Sequence, residues 1–271
     1  YAGLSAKVLC SKSIGGIRSK FETVESKFET KLTKWLTDVI LANSKAAAEQ
    51  YKMSLKGRKQ EVLVVQNAID CLFLDRAETR NRIVRDFGLD DDALWIGSIG
   101  RMDPHKRFDV IIKIMAFLKQ KDVNVQCLLI GDGPEREQLE QQAVRIGVRD
   151  KIAFIGEIPD ASKWLKALDI FCFPSVSEGL PNVIMEAAAA GLPIIAWRLP
   201  FIEEILVDED MAMKVEPYNI AIFEEMILQL IHSNELRNFL GNNARSYVLD
   251  HFYLEKFVAS MNAAYLTALG L

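Results

Sequence analysis

The sequence predicts an α/β protein built on a doubly wound parallel sheet. Three observations predict it. Short, nearly continuous runs of Val, Ile, Leu and Phe recur from residue 62 onward. Stretches with a helical apolar period separate them, and Gly or Pro marks most junctions. Runs apolar on both sides suit strands covered on both faces, and strict strand–helix alternation implies parallel pairing. In such sheets ligands bind beyond the carboxyl ends of the strands.

The strands are expected at 62–65, 94–99, 125–130, 152–155, 170–173, 193–197 and 211–215. Phe108, Ile111, Ile112, Met115 and Leu118 give the helix after the second of these an apolar stripe. Pro134 is expected at the first turn of the next helix, which buries Leu139, Ala143 and Ile146 and stops at Gly147. Asp160 is placed as the N-cap of a helix carrying Trp164, Leu165 and Leu168. Residues 221–269 read as two or three further helices. Before residue 60 the pattern differs: 21–41 and 45–55 read as helices, with 40–42 as a short strand between them. The composition shift at 57–60 is the expected domain boundary.

The 271 residues are half apolar, with 33 basic and 37 acidic side chains. That balance excludes disordered and collagenous chains and argues against a generally basic, nucleic-acid-binding surface. Residues 1–60 are the exception, with twelve Lys/Arg against five Asp/Glu. This basic segment could rest on an anionic membrane, although the interleaved Glu22, Glu25 and Glu29 favour a solvated face. Cys10, Cys71, Cys127 and Cys172 lie far apart, which argues for reduced, packed thiols rather than zinc. No apolar run is long enough for a membrane span. The amino end shows no secretory signal, and because it opens on Tyr1 a fragment or processed chain is expected.

Three segments could carry chemistry. The strand ending at Gly100 runs into Arg101-Met-Asp-Pro-His105-Lys106-Arg107, a turn able to meet an anion. By itself such a turn is more often solvated surface, and His105 is expected to be solvated. Gly131-Asp-Gly133 opens like a dinucleotide fingerprint, but Arg136 stands where the third glycine belongs, so a tight strand-to-helix turn is the better reading. Phe173-Pro-Ser-Val-Ser-Glu178-Gly179-Leu180-Pro-Asn182-Val183-Ile-Met-Glu186 leads from a strand through a loop into a helix ending at Gly191. Glu178 belongs to the loop and Glu186 to the helix, on the same face as Asn182. The free amides of that helix start attract a diphosphate, and a carboxylate beside them can accept hydrogen bonds from two sugar hydroxyls. Taken singly, each glutamate could as well be a solvated or mildly helix-stabilising residue. His232 and His251 read as capping or packing groups, 90–92 as a polar turn, and Trp35, Trp95, Trp164 and Trp197 as core.

With these pieces in this order, the chain resembles the retaining glycosyltransferases of the GT-B fold, in the large group-1 (family 4) class. The matching residues are Gly100-Arg101 with Lys106, Ile130-Gly-Asp-Gly-Pro134, Phe154-Ile-Gly156, Phe173-Pro-Ser175, the Glu178-x7-Glu186 motif and Ala190-Gly-Leu-Pro193. The resemblance covers roughly 62–252. It implies a partial acceptor-side domain at 1–60, a Rossmann-like donor-binding domain at 61–252, and a helix at 253–271 packing back toward the amino-terminal domain.

It also implies roles. Arg101 and Lys106 would bind the diphosphate of a UDP-, GDP- or ADP-sugar and neutralise the leaving nucleotide. Glu186 would hold the ribose hydroxyls, with Asn182 and Val183 at the helix start. The backbone after Gly156, at Ile158, would meet the base. Glu178 would contact the transferred sugar, helped by the amides of Gly179 and Leu180. No cofactor or metal is expected, and the acceptor would be a saccharide or lipid-linked saccharide. The location would be cytoplasmic, with peripheral contact at the inner membrane face as an option. The chain departs from the family at Asn67-Ala-Ile-Asp70, at Leu199-Pro-Phe-Ile202 where a glycine pair is usual, with Glu204 at the final glutamate position, and at 208–213, which lacks the usual glycines. The alternatives are a GT-B-like nucleotide-sugar epimerase and a non-catalytic nucleotide-binding fragment.

Overall fold

Six of the expected strands form one parallel sheet. In the computed structural model, which describes residues 14–17, 39–54, 61–70 and 73–269, they are β4 (Leu94–Ile99), β5 (Val125–Ile130), β6 (Ile152–Gly156), β7 (Ile170–Phe173), β8 (Ile194–Trp197) and β9 (Met213–Val215). Their spatial order is β6-β5-β4-β7-β8-β9, every pair parallel. The chain winds outward from β4 through β5 to β6, then returns to lay β7 on the other side of β4. That reversal is a topological switch point.

The first expected strand behaves differently. Residues 62–65 have the same apolar character as the others, yet β3 (Glu61–Val64) pairs in a second sheet with β2 (Val39–Ala42), which in turn pairs with β1 (Ile14–Ile17). Local hydrophobicity makes a strand but does not choose its partner. Helix α1 (Lys45–Ser54) follows β2, and Ser44 Oγ caps it by accepting from Ala47 N at 3.0 Å. The helix expected over 21–41 ends differently from the reading, since 39–41 are strand; its remainder, Trp35 and most of the basic 1–60 segment lie outside the described residues, as do Cys10 and Cys71.

The chain divides into two compact units: 1–69 with 178–181 and 251–271, and 70–177 with 182–250. In the first, Ile69 N donates to Phe252 O at 2.9 Å, just ahead of helix α9 (Leu254–Leu269). In the second, α2 (Arg76–Phe87) is docked by Arg80, which is buried. Its guanidinium binds Asp91 at 2.7 Å and Asp169 at 3.2 Å and sits 3.9 Å over the Trp95 ring, so the buried charge is fully compensated.

Helix α3 (Phe108–Gln120) buries its whole expected stripe, together with Val110 and Ile114. Helix α4 begins at Arg136 (Arg136–Arg145), two residues later than expected, because Pro134 and Glu135 are used by the turn out of β5. It buries Leu139 and Ala143, whereas Ile146 is 37% exposed and Val148 takes the core position. Asp160 does not cap an α-helix. Its backbone is left-handed (φ 52°), its side chain makes no capping bond, and Ala161–Ala167 is 3₁₀ helix. Trp164, Leu165 and Leu168 are nonetheless buried. Beyond β9, α7 (Ile220–His232) and α8 (Asn234–His251) complete the unit. Cys127 and Cys172 are buried free thiols, and burial pushes both thiol pKa values up. Among the described residues no helix is long and apolar enough to cross a membrane.

Candidate functional site

The carboxyl ends of β4, β5 and β6 are laced together by backbone bonds. Gly100 N donates to Ile130 O at 3.0 Å, Met102 N to Asp132 O at 2.8 Å, and Gly131 N to Gly156 O at 2.8 Å. Such close approach requires glycine. A Cβ on Gly131, whose φ is 133°, would stand 2.0 Å from Gly100 O, and one on Gly133 would stand 2.7 Å from Met102 N. The lacing shapes a cleft of about 460 Å³ lined by Ile99–Arg101, Ile130–Gly133, Glu157, Ile158 and Ala161. It therefore brings Arg101 and Ile158 to one place. Arg136, at the position of a third fingerprint glycine, binds Asp132 at 2.7 Å and Glu140 at 3.1 Å and closes the turn instead of opening a helix end to a pyrophosphate. The Gly131–Gly133 turn, read from sequence only as a weak signal, is thus a wall of the cleft.

At the switch point, the loops after β4 and β7 are tied to each other. The carbonyl of His105 accepts from Val176 N at 2.9 Å and from Ser175 Oγ at 3.2 Å. His105 is half-buried rather than solvated, because its backbone is the knot of this tie. Lys106 ends the short 3₁₀ turn Pro104–Lys106, with Nζ 5.6 Å from the centre of the Phe173 ring. A Cβ on Gly100 would lie 3.7 Å from the same Nζ, which places the ammonium beside the last residue of the β4 turn. Arg101 is largely exposed and rests 3.3 Å from Asp103, an ion pair weak enough to yield to a better anion.

Helix α5 (Asn182–Ala189) follows β7. It buries Ile184, Met185 and Ala187–Ala189, leaving Asn182, Val183 and Glu186 on the other side. Its first turn holds no acidic residue, so no carboxylate of its own answers the positive end of the dipole. Glu186 is half-buried and burial raises its carboxyl pKa. No cation or hydrogen-bond donor meets its carboxylate among the described residues. The far end of the helix is fixed. Gly191 N donates to Ala188 O, and Gly241 of α8 packs so close that a Cβ there would be 2.1 Å from Gly191 O.

Glu178, Gly179, Leu180 and Pro181 fall in the first compact unit. Gly179 and Leu180 are buried and Glu178 is half-buried. The second unit alone therefore holds Arg101, Lys106, Ile158, Asn182, Val183 and Glu186.

Glycine turns that shape a cleft over the carboxyl ends of β4, β5 and β6, next to a basic loop at the β4/β7 reversal, define an α/β protein of the doubly wound class with its crevice where such folds bind ligands. The family follows from comparison. The model of the glycosyl transferases group 1 matches residues 79–247, and the chain belongs to that family. The lipopolysaccharide core biosynthesis glycosyltransferase LpsE of Rhizobium meliloti is 29% identical over 222 residues, 81% of this chain and 61% of the relative. The N-acetyl-alpha-D-glucosaminyl L-malate synthase of Bacillus anthracis is 25% identical over 230 residues, 84% of this chain and 59% of the relative. The chain thus spans about three-fifths of the length of these curated relatives. Among solved structures, Anabaena HepE in complex with UDP superposes with a TM-score of 0.81 at 19% identity, over 99% of this chain and 75% of that one. WaaG, a glycosyltransferase involved in lipopolysaccharide biosynthesis, gives 0.69 at 20% identity over 86% and 63%. These likenesses show the fold, which is of the GT-B type.

Proposed function

We propose that the chain is the donor-binding part of a glycosyltransferase that moves a sugar from a nucleotide-diphosphate sugar to an acceptor with retained anomeric configuration. The observation that carries this reading is Glu186, a half-buried carboxylate without a partner among the described residues, on the open face of a helix whose start faces no acid of its own. An acceptor-only group in that setting suits two neighbouring ribose hydroxyls, which donate to it. The helix start suits the diphosphate. Lys106 and Arg101 supply the positive charge that grows in value as the bond between the anomeric carbon and the diphosphate oxygen breaks. The acceptor oxygen takes that carbon and its proton leaves to the departing diphosphate. The cleft at Ile158 takes the base.

Glu178, with the amides of Gly179 and Leu180, is assigned the transferred sugar on the strength of the Glu178–Glu186 motif. The acceptor class is a saccharide or lipid-linked saccharide. It is supported by relatives named for lipopolysaccharide core synthesis and for transfer to a diphospho-undecaprenol-linked sugar. A cytoplasmic site beside the inner membrane face fits acceptors of that kind. No metal is assigned a role, since two side-chain cations and a helix end meet the diphosphate charge.

Thermal shift tests the site. UDP, GDP or ADP at about a hundred times its Kd stabilises by about 2.7 kcal/mol, which raises the Tm by roughly 5–10 °C for a unit of this size. The expected result is a shift for one of the three, unchanged by EDTA and reduced in Glu186→Ala and Lys106→Ala. Equal shifts in wild type and both variants would overturn the site, and a shift abolished by EDTA would overturn the metal-free diphosphate cradle.

A further inference from the structure

The side chain of Lys214, in the middle of β9, is wholly out of solvent. A buried ammonium persists only when its charge and donors are met. Here Glu203 stands at 3.2 Å, Glu209 at 3.6 Å, and the carbonyl of Leu206 accepts at 3.0 Å. The same two carboxylates hold Arg198, the first residue after β8. Arg198 reaches Glu203 at 3.0 Å and grips both oxygens of Glu209, at 2.7 and 2.8 Å, in a fork geometry that a point charge could not make. Glu216 adds a longer pair to Arg198 at 3.6 Å. Arg198 keeps the Glu209 carboxyl ionised, down at about 2.

These bonds all span one segment. Between Arg198 and Lys214 the chain makes a single helical turn, α6 (Pro200–Glu203), far too short to be stable alone. Glu203 closes that turn and is held from both sides by the two cations. Arg198 N donating to Val215 O at 2.6 Å fastens the segment to the sheet. The turn is therefore held by ion pairs where it has no glycines to fold tightly on itself.

Its place in the sheet gives the network a purpose. The base cleft lies over β4, β5 and β6, and the diphosphate loops lie at the β4/β7 reversal. A nucleotide laid along that line points its sugar away from β5 and β6, toward the strand beyond β7. That strand is β8, paired with β7 through Phe173 opposite Ala196, so Arg198 leaves the sheet beside the loop that follows β7. We propose that the Arg198–Glu203–Glu209–Lys214 network is a positioning device that fixes the turn after β8 as the wall against which the donor's sugar is bound. This rests on the donor reading above.

The test separates nucleotide from sugar. UDP against UDP-glucose, GDP against GDP-mannose, and ADP against ADP-glucose, are titrated on wild type, Lys214→Met, Glu209→Gln and Lys214→Arg. The expected result is an unchanged Kd for the nucleoside diphosphate in all four proteins. The extra affinity from the sugar falls about tenfold in Lys214→Met and Glu209→Gln, as loss of a fixed geometry does, and less in Lys214→Arg. Glu209 is mostly exposed, so its variant keeps the test alive if Lys214→Met fails to fold. A merely structural role would lower the Tm without touching the ratio of the two Kd values. Nucleotide binding with the same sugar increment in every variant, or no sugar increment in wild type, overturns the positioning role alone. A wild-type chain that binds none of the nucleotides overturns the donor reading beneath it.

Discussion

Glu186 is an acid placed where its ionised form is disfavoured, and that placement has a measurable sign. Burial holds its carboxyl above 4.5, the ordinary value. The folded state therefore binds that proton more tightly than the unfolded chain. Its contribution to stability is present below pH 4.5 and is lost as pH rises through the raised value. The expected outcome for the unliganded protein is that Glu186→Gln melts above wild type at pH 7, with the gap closing as the pH falls toward 4.5. Melting curves across that range check it. A glutamine variant that melts lower at pH 7 would mean that the carboxylate is paired with a cation and is not held open for a ligand. The same variant accepts fewer bonds from a diol, so added stability and weaker nucleotide binding should travel together, a trade common where a site is kept unsatisfied for its ligand.

Among the elements, the glycine turns bear the most geometry per residue. Gly131 lets the β5 turn lie against the β4 turn, and its φ of 133° with a Cβ position 2.0 Å from Gly100 O leaves no room for a side chain. Gly131→Ala is expected to cost about 1–3 kcal/mol and to blunt nucleotide binding by opening the cleft. Urea unfolding reads the first effect, and unchanged stability would contradict it. Much at this scale was legible in the sequence. Strands β4 to β8 are nearly continuous apolar runs because helices cover both faces, and the α3 stripe is periodic because one side meets the sheet. What was not legible depended on pairing or on backbone conformation. Residues 62–65 look like the rest and yet join β2, while Asp160 looks like an N-cap and yet is left-handed. The Arg198–Lys214 network has no spacing that announces it, since Glu203, Glu209 and Lys214 meet only once the chain has turned back from β8 to β9.

For the molecule as a whole, a single ordering explains the candidate site. Strands wind outward from β4 and then back to β7, so the loops after β4, β5, β6 and β7 leave the same edge of one sheet. The sequence motifs located that edge because their residues follow strands that are readable one by one. Motif order could not show that Glu178–Pro181 would cluster with 1–69 and 251–271, apart from the helix they lead into. That division depends on contacts distant in the chain. The most direct measurement is a crystal structure of the chain with the nucleoside diphosphate that stabilises it. The account predicts ribose hydroxyls on the Glu186 carboxylate, the diphosphate between Lys106 Nζ and the first amides of α5, and the base in the cleft at Ile158. A nucleotide seated instead at the start of α4, with Glu186 untouched, would contradict it.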